Sequence, residues 1–279
     1  MIKINKNNSL AIATDLDGTL LSSKNEVSAE NLAAIRRLGS AGIKTILLTG
    51  RTFYEIPEVL RKCGDIAYMI YSNGAAAATG KGEAVFGNCI PHKKAVCLFE
   101  LLSKYETFIE IYADGVPYAS KDKFSDEMFR MYRIDEGFIP EMHISRRPVP
   151  SLTEIVTEPT REIEMFDVFF KNESERLECI ELLKKDGEVE ITSSMTSNLE
   201  IICSGTSKGK ALERLCEIIE IPVSRVTVAG DSKNDITAFQ TDAKKYAVSN
   251  ACPELKALAD KIICSNDENI MTYLEKELL

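Results

Sequence analysis

Short apolar runs alternate with amphipathic stretches at both ends of this 279-residue chain, and each run stops at a polar turn. Ile12 to Asp15, Ile43 to Leu48 and Ala67 to Tyr71 have the length and apolar content of strands buried on both faces. Between the first two, Ser28 can cap a helix that carries Leu32, Ile35 and Leu38 on one side, with Glu30 in its first turn and Gly42 at its end. Glu55 to Cys63 reads as a second, short helix with Pro57 near its start, where proline is tolerated. Parallel strands need long crossovers, so this β-α-β-α-β order predicts a parallel sheet with right-handed connections. The same grammar returns at the far end. Lys208 to Glu220 has a helical apolar stripe, Val226 to Ala229 is a strand, and Ile236 to Gln240 starts a helix. Tyr246 to Val248 and Lys261 to Cys264 are further strands with a helix over Pro253 to Ala259 between them, and Glu268 to Leu278 closes the chain as a helix.

The middle has a different texture. From Gly82 to Ser194 the strands are longer and amphipathic, as in Thr107 to Tyr112 and Glu164 to Lys171. Polar stretches intervene, and Ser145 to Pro150 reads as an exposed loop. The predicted architecture is therefore α/β: a discontinuous parallel-sheet core of residues 1–81 and 195–279, with an α+β domain of residues 82–194 inserted into it.

Several function classes are disfavoured. A formal net charge of −9 lacks the basic footprint of nonspecific nucleic-acid binding, so no nucleic-acid partner is expected. No apolar stretch is long enough to span a bilayer and no signal peptide opens the chain, so no membrane partner is expected and the expected address is the cytoplasm. The eight cysteines are widely spaced with no C-x-x-C, and several have apolar neighbours, so they read as small buried hydrophobes. With His92 and His143 as the only histidines, a Cys/His zinc site is not expected.

Polar groups gather at the carboxyl ends of the predicted strands, the edge where open α/β sheets bind ligands. Asp15-Leu16-Asp17-Gly18-Thr19, Leu48-Thr49-Gly50-Arg51, Ser72-Asn73-Gly74-Ala75 and Gly230-Asp231-Ser232-Lys233-Asn234-Asp235 all lie there, and Lys208 begins a helix. Each has a plain alternative: Asp-Gly and Asn-Gly make turns, Asp231 can cap the next helix, and a lone lysine is usually solvated. Two carboxylates as close as Asp15 and Asp17 repel unless a cation or a proton offsets them. Together the segments are hard to account for by those plain alternatives.

In order and spacing these segments resemble the haloacid dehalogenase (HAD) superfamily of phosphatases, in its Cof-type subfamily (HAD-IIB, with a C2 cap). The resemblance spans nearly the whole chain and implies a HAD-like Rossmannoid core, with the insert as a cap. It implies that Asp15 is the nucleophile, forming an aspartyl-phosphate. Asp17 would protonate the leaving alcohol and later deprotonate the attacking water. A Mg²⁺ cofactor would be held by Asp15, the backbone carbonyl of Asp17 and the side chain of Asp231. Lys208 would offset charge on the phosphoryl group, while Thr49, the amides of Gly50 and Leu16, and Asn234 donate to its oxygens. Asp235 would hold Lys208 or a metal-bound water, and Asn73 would shape the turn into the cap.

The expected activity is hydrolysis of a small phosphomonoester, a sugar phosphate or a phosphorylated cofactor. A phosphosugar mutase and a non-catalytic phospho-ligand-binding regulator are the alternatives. Specificity is expected from the cap, whose polar candidates include Glu110, His143, Arg146 and Arg147. The substrate itself and the oligomeric state are not written in these residues.

Overall fold

The computed structural model describes residues 10–193 and 195–279; residues 1–9 of the expected core, and Ser194 at the expected end of the insert, lie outside them. Contacts divide the chain into two units. One runs up to Gly50 and takes in Pro57–Phe86 and Ser207–Leu279, and the other consists of Arg51–Ile56 and Gly87–Thr206. This division departs from boundaries after residues 81 and 194. Strand Ala84–Gly87 adds an edge to the first unit's sheet, and strand Asn198–Cys203 pairs inside the second unit. Arg51–Ile56 sorts with the second unit although it lies far from the rest of it in sequence.

The first unit begins with β1 (Ala11–Thr14), buried throughout. Helix α1 (Ala29–Ser40) follows, capped by Ser28, whose hydroxyl accepts from the Asn31 amide at 3.0 Å. Strand β2 (Lys44–Leu48) is parallel to β1, and β3 (Ile66–Tyr71) is parallel to β2. The expected helix from Glu55 to Cys63 is broken. Phe53–Glu55 form a tight turn capped by Thr52, and α2 (Glu58–Arg61) starts only after Pro57. Proline disfavours helical backbone in the residue before it, and Ile56 is accordingly extended, with ψ at 127°. Strand β4 (Ala76–Thr79) turns back antiparallel beside β3, and β5 (Ala84–Gly87) forms the edge beyond it.

The second unit starts its regular structure with α3 (His92–Leu102), β6 (Thr107–Ala113) and β7 (Val116–Ser120). Helices α4 (Asp126–Met131) and α5 (Ile139–Ser145) come next, followed by β8 (Arg147–Val149) and α6 (Leu152–Thr157). Then β9 (Ile163–Phe170), α7 (Glu173–Asp186), β10 (Val189–Thr192) and β11 (Asn198–Cys203) complete a six-stranded sheet ordered β10-β11-β9-β6-β7-β8. Alternation sorts its side chains. Ile109, Ile111, Phe166, Val168 and Ile201 pack on one face with Leu98 of α3, Val156 of α6 and Leu183 of α7. On the opposite face Phe108 and Phe169 pack with Phe129 of α4 and Met142 of α5. Along that second face Glu110, Asp167 and Glu200 sit side by side in register across three strands, all buried.

The expected exposed loop at Ser145 to Pro150 is corrected. Ser145 ends α5, Arg146 is buried, and Arg147–Val149 pairs parallel with β7. Two carboxylates distant in sequence, Glu55 and Glu110, neutralise Arg146, and no local pattern announces such burial.

The chain returns to the first unit through α8 (Lys208–Ile218), β12 (Val226–Gly230) and α9 (Ile236–Phe239). It ends with β13 (Lys244–Ala247), α10 (Pro253–Lys256), β14 (Lys261–Ile262) and α11 (Ile270–Leu278). The eight-stranded sheet is ordered β14-β13-β12-β1-β2-β3-β4-β5, so β1 lies between parallel β12 and β2. All eight cysteines are free. Cys179 and Cys216 are buried as expected, Cys97 is exposed and the rest are half-buried. Among the described residues no helix is long and apolar enough to cross a membrane.

Candidate active site

Strand β1 delivers Asp15 at its carboxyl end, 4% exposed. The backbone then makes a wide turn: the amides of Leu20 and Leu21 donate to the carbonyls of Asp15 and Leu16 at 3.2 and 2.8 Å. The turn requires a left-handed residue, and Gly18 supplies it with φ at +70°. Glycine is needed there for a second reason, since a Cβ on Gly18 would meet Asp231 Oδ2 at 2.5 Å. The turn buries Leu16 and leaves Asp17 exposed.

Lys208 reaches this point from the first residue of α8, where Ser207 Oγ caps the helix by accepting from the Lys210 amide at 3.2 Å. It is 1% exposed and not the solvated lysine of the plain alternative. Its ammonium donates to Asp15 Oδ1 at 2.8 Å and to Asp235 Oδ1 at 2.7 Å. The other oxygen of Asp235 accepts from the amides of Asp231 and Ser232 at 3.0 and 3.1 Å. Asp235 is thus held at both ends and in turn holds Lys208. Gly230 makes room for it, because a Cβ there would meet Asp235 Oδ2 at 2.6 Å.

Asp231 follows β12, and its Oδ1 accepts from Thr19 Oγ1 at 3.3 Å. Asn234 donates from Nδ2 to Asn73 Oδ1 at 3.2 Å and accepts from Ser232 Oγ at 2.7 Å. Gly50 lies against the same two amides: a Cβ on it would meet Asn73 Oδ1 at 3.1 Å and Asn234 Nδ2 at 3.5 Å. Thr49 is buried at the end of β2, its amide donating to Ile70 at 2.9 Å and its carbonyl accepting from the Asn73 amide at 3.1 Å. Asn73 takes a left-handed φ of 53° in a turn that leads into β4 of the first unit and not into the inserted one.

The charges do not balance. Asp15, Asp231 and Asp235 bring carboxylate oxygens within 4.8 Å of one another, with Lys208 as the ammonium among them. Burial raises the Asp15 carboxyl well above the ordinary carboxylate range. Lys208 opposes that shift, and Asp235, Asp231 and Asp17 add to it. Burial and then Asp235 push Asp231 up to about 7, against the pull of Lys208 and Thr19. Burial works against the Lys208 ammonium, yet Asp15 and Asp235 outweigh it and raise its pKa. One ammonium is therefore too little positive charge for the acids around it. Three hard oxygen donors with surplus negative charge fit a divalent cation such as Mg²⁺. The Asp17 carboxylate is not among the three that converge.

Some participants had no assigned role in the sequence reading. Thr19 donates to Asp231, and Asn250 Nδ2 donates to the Gly18 carbonyl at 2.8 Å. The signal for Asn250 was available: it is a polar residue just past the carboxyl end of β13, the kind of position that site groups occupy after β1, β2, β3 and β12.

The sequence profile of haloacid dehalogenase-like hydrolases matches residues 12–273. The phosphatase YwpJ of Bacillus subtilis (strain 168) is 28% identical, covering 96% of this chain and 99% of that protein. The 5-amino-6-(5-phospho-D-ribitylamino)uracil phosphatase YwtE of the same organism is 27% identical, with 96% and 97% covered. An HMP-PP phosphatase of Yersinia pestis is 26% identical, with 88% and 85% covered. Among solved structures, a haloacid dehalogenase-like hydrolase from B. subtilis superposes with a TM-score of 0.83 at 24% identity, covering 97% of this chain and all of the other (100%). A HAD subclass IIB sugar phosphatase superposes with a TM-score of 0.79 at 22% identity, with 96% and 98% covered.

Proposed function

The chain belongs to the haloacid dehalogenase-like hydrolase family, and we propose that it is a Mg²⁺-dependent phosphatase that hydrolyses small phosphomonoesters through a phosphorylated Asp15. The observation that carries this reading is the buried Asp15 held against Lys208, with Asp231 close by. A carboxylate fixed by one oxygen on an ammonium keeps the other for attack on phosphorus.

In the first half-reaction Asp15 forms a bond to phosphorus as the ester P–O bond breaks. Asp17, exposed at the mouth of the turn, gives its proton to the departing alkoxide, which leaves as the alcohol. In the second half, Asp17 takes a proton from water, the water oxygen attacks phosphorus, and the Asp15–phosphorus bond breaks to release inorganic phosphate. Lys208 holds Asp15 in place and lowers the repulsion between it and the dianionic ester. Thr49, the amides of Gly50 and Leu16, and Asn234 are read as donors to the phosphoryl oxygens. Asp235 fixes Lys208. Mg²⁺ bound through Asp15, the Asp17 carbonyl and Asp231 would supply the Lewis acidity and countercharge that one lysine cannot.

The substrate is read as a small phosphorylated metabolite. The named relatives carry phosphatase names with different substrates, which supports the class and leaves the member open. Eight free cysteines suit work in the reducing cytoplasm. The test is turnover of an aryl phosphate and a panel of sugar and cofactor phosphates, with Mg²⁺ and with chelator. Release of phosphate only with the metal is expected. Full turnover in chelator would refute the metal assignment, and no turnover of any ester would refute the phosphatase reading.

A further inference from the structure

Glu55 follows Gly50 by five residues, yet it is buried in the second unit. Its Oε1 accepts from Arg146 Nη1 at 2.5 Å, and its Oε2 accepts from the Thr52 amide at 2.8 Å. Arg146 donates its remaining edge to Glu110 in two parallel bonds, Nε to Oε1 at 2.9 Å and Nη2 to Oε2 at 3.1 Å. Tyr112 and Ser145 hydroxyls accept from the same guanidinium at 3.3 and 2.8 Å. Two more contacts pin the segment. The Tyr54 amide donates to the Gly115 carbonyl at 3.2 Å, and Arg51 bridges the Glu55 carbonyl and Glu141 at 2.9 and 3.4 Å.

A buried ion set of this kind is a poor choice if stability alone is needed, because apolar side chains of similar volume commonly serve as well. What a guanidinium fork adds is geometry: its donors lie in one plane and accept only one arrangement of partners. Here that arrangement joins the middle of β6 to a segment that leaves Gly50 through a single peptide bond.

We propose that Arg146 is a positioning residue for the phosphoryl-binding turn. By gripping Glu55 and Glu110 together it fixes Arg51–Ile56 to the second unit's sheet, and the chain carries that constraint into Thr49 and Gly50. The proposal rests on the phosphatase reading above. Displacements of about 1 Å at a reacting centre can cost about 10²-fold in rate, so a tether of this kind has measurable leverage.

The experiment compares Glu55→Gln, Arg146→Ala and Arg146→Lys with the unaltered chain, using an aryl phosphate at saturating Mg²⁺ and amide hydrogen exchange on the same samples. Glu55→Gln keeps the volume and removes the charge, so it carries the test if Arg146→Ala does not fold. Expected are a kcat lower by about 10- to 100-fold with KM changed less than about threefold, and partial recovery in Arg146→Lys. Exchange at Thr52, Tyr54 and Glu55 should quicken while β6 stays protected. Faster exchange with kcat within about twofold of the parent would overturn the positioning role and leave a structural cluster. Unchanged exchange in Glu55→Gln would overturn the tether. If the unaltered chain turns over no ester, the phosphatase reading falls and the catalytic half of this proposal with it, while exchange alone still decides whether Arg146 holds the segment.

Discussion

In the first unit Lys208 lies between Asp15 and Asp235; in the second, Arg146 lies between Glu55 and Glu110. All six groups are buried. The guanidinium is closed: Nε, Nη1 and Nη2 all have acceptors, and Glu110 takes two of the bonds. The ammonium has three donors and spends two of them on its carboxylates. Among the described residues, it is around Lys208 that three acids bring their oxygens within 4.8 Å of one another. A buried ion cluster whose donors are matched holds a shape. One in which three carboxylates converge around a single ammonium fits a further cation.

The sharpest way to break this contrast is at the nucleophile. Asp15→Asn should abolish turnover while the protein still melts cooperatively, because the amide cannot attack phosphorus; near-normal turnover in a homogeneous sample would remove Asp15 from its role. Asp17→Asn should cost about 10²- to 10⁴-fold with an alkyl phosphate, and less in the first step with an aryl phosphate, whose leaving group needs little protonation. Equal, small losses on both esters would make Asp17 structural.

Next come the two cations themselves. Lys208→Met and Arg146→Met each strand two buried carboxylates, and each should destabilise the protein by about 3–5 kcal/mol in denaturant titrations. Mg²⁺ should restore part of the loss in Lys208→Met, where it can countercharge Asp15, and none in Arg146→Met. Equal rescue of both would erase the distinction drawn here.

The smallest expected effect is on pH. Asp231 titrates near 7 in the folded, metal-free protein against an ordinary 3.8, chiefly because it is buried. The folded state therefore holds a proton that the unfolded chain has released. That contribution to stability is complete below the unfolded pKa and is lost as pH rises through about 7. Mg²⁺ needs the ionised carboxylate, so its stabilising effect should grow over the same rise. Melting temperatures measured from pH 5 to pH 8 with Mg²⁺ and with chelator should diverge; a constant gap would show that Asp231 does not couple the proton to the metal.

The sequence carried the parallel sheet and the polar strand ends that make up the candidate site, because both are encoded locally. Buried parallel strands show as unbroken apolar runs such as Leu10 to Ala13, and the ligand edge shows as the polar residues that end them. Ser28 was placed to cap α1, and it does. Arg146 escaped the same reasoning. In sequence it sits in Ser-Arg-Arg-Pro-Val-Pro, a composition that reads as solvated loop, and its neighbour Arg147 is indeed exposed.

What the sequence by itself determined is the order of strands and helices, the side on which each buries, and the motifs that place the chain in its family. Those follow from backbone periodicity and from residues a few positions apart. Which charges are buried, and against what, only the tertiary structure decided. Lys208 meets Asp15 across 193 residues and Arg146 meets Glu55 across 91. A charge tolerates burial only when its partner is already there, and that partner's distance along the chain leaves no periodic trace.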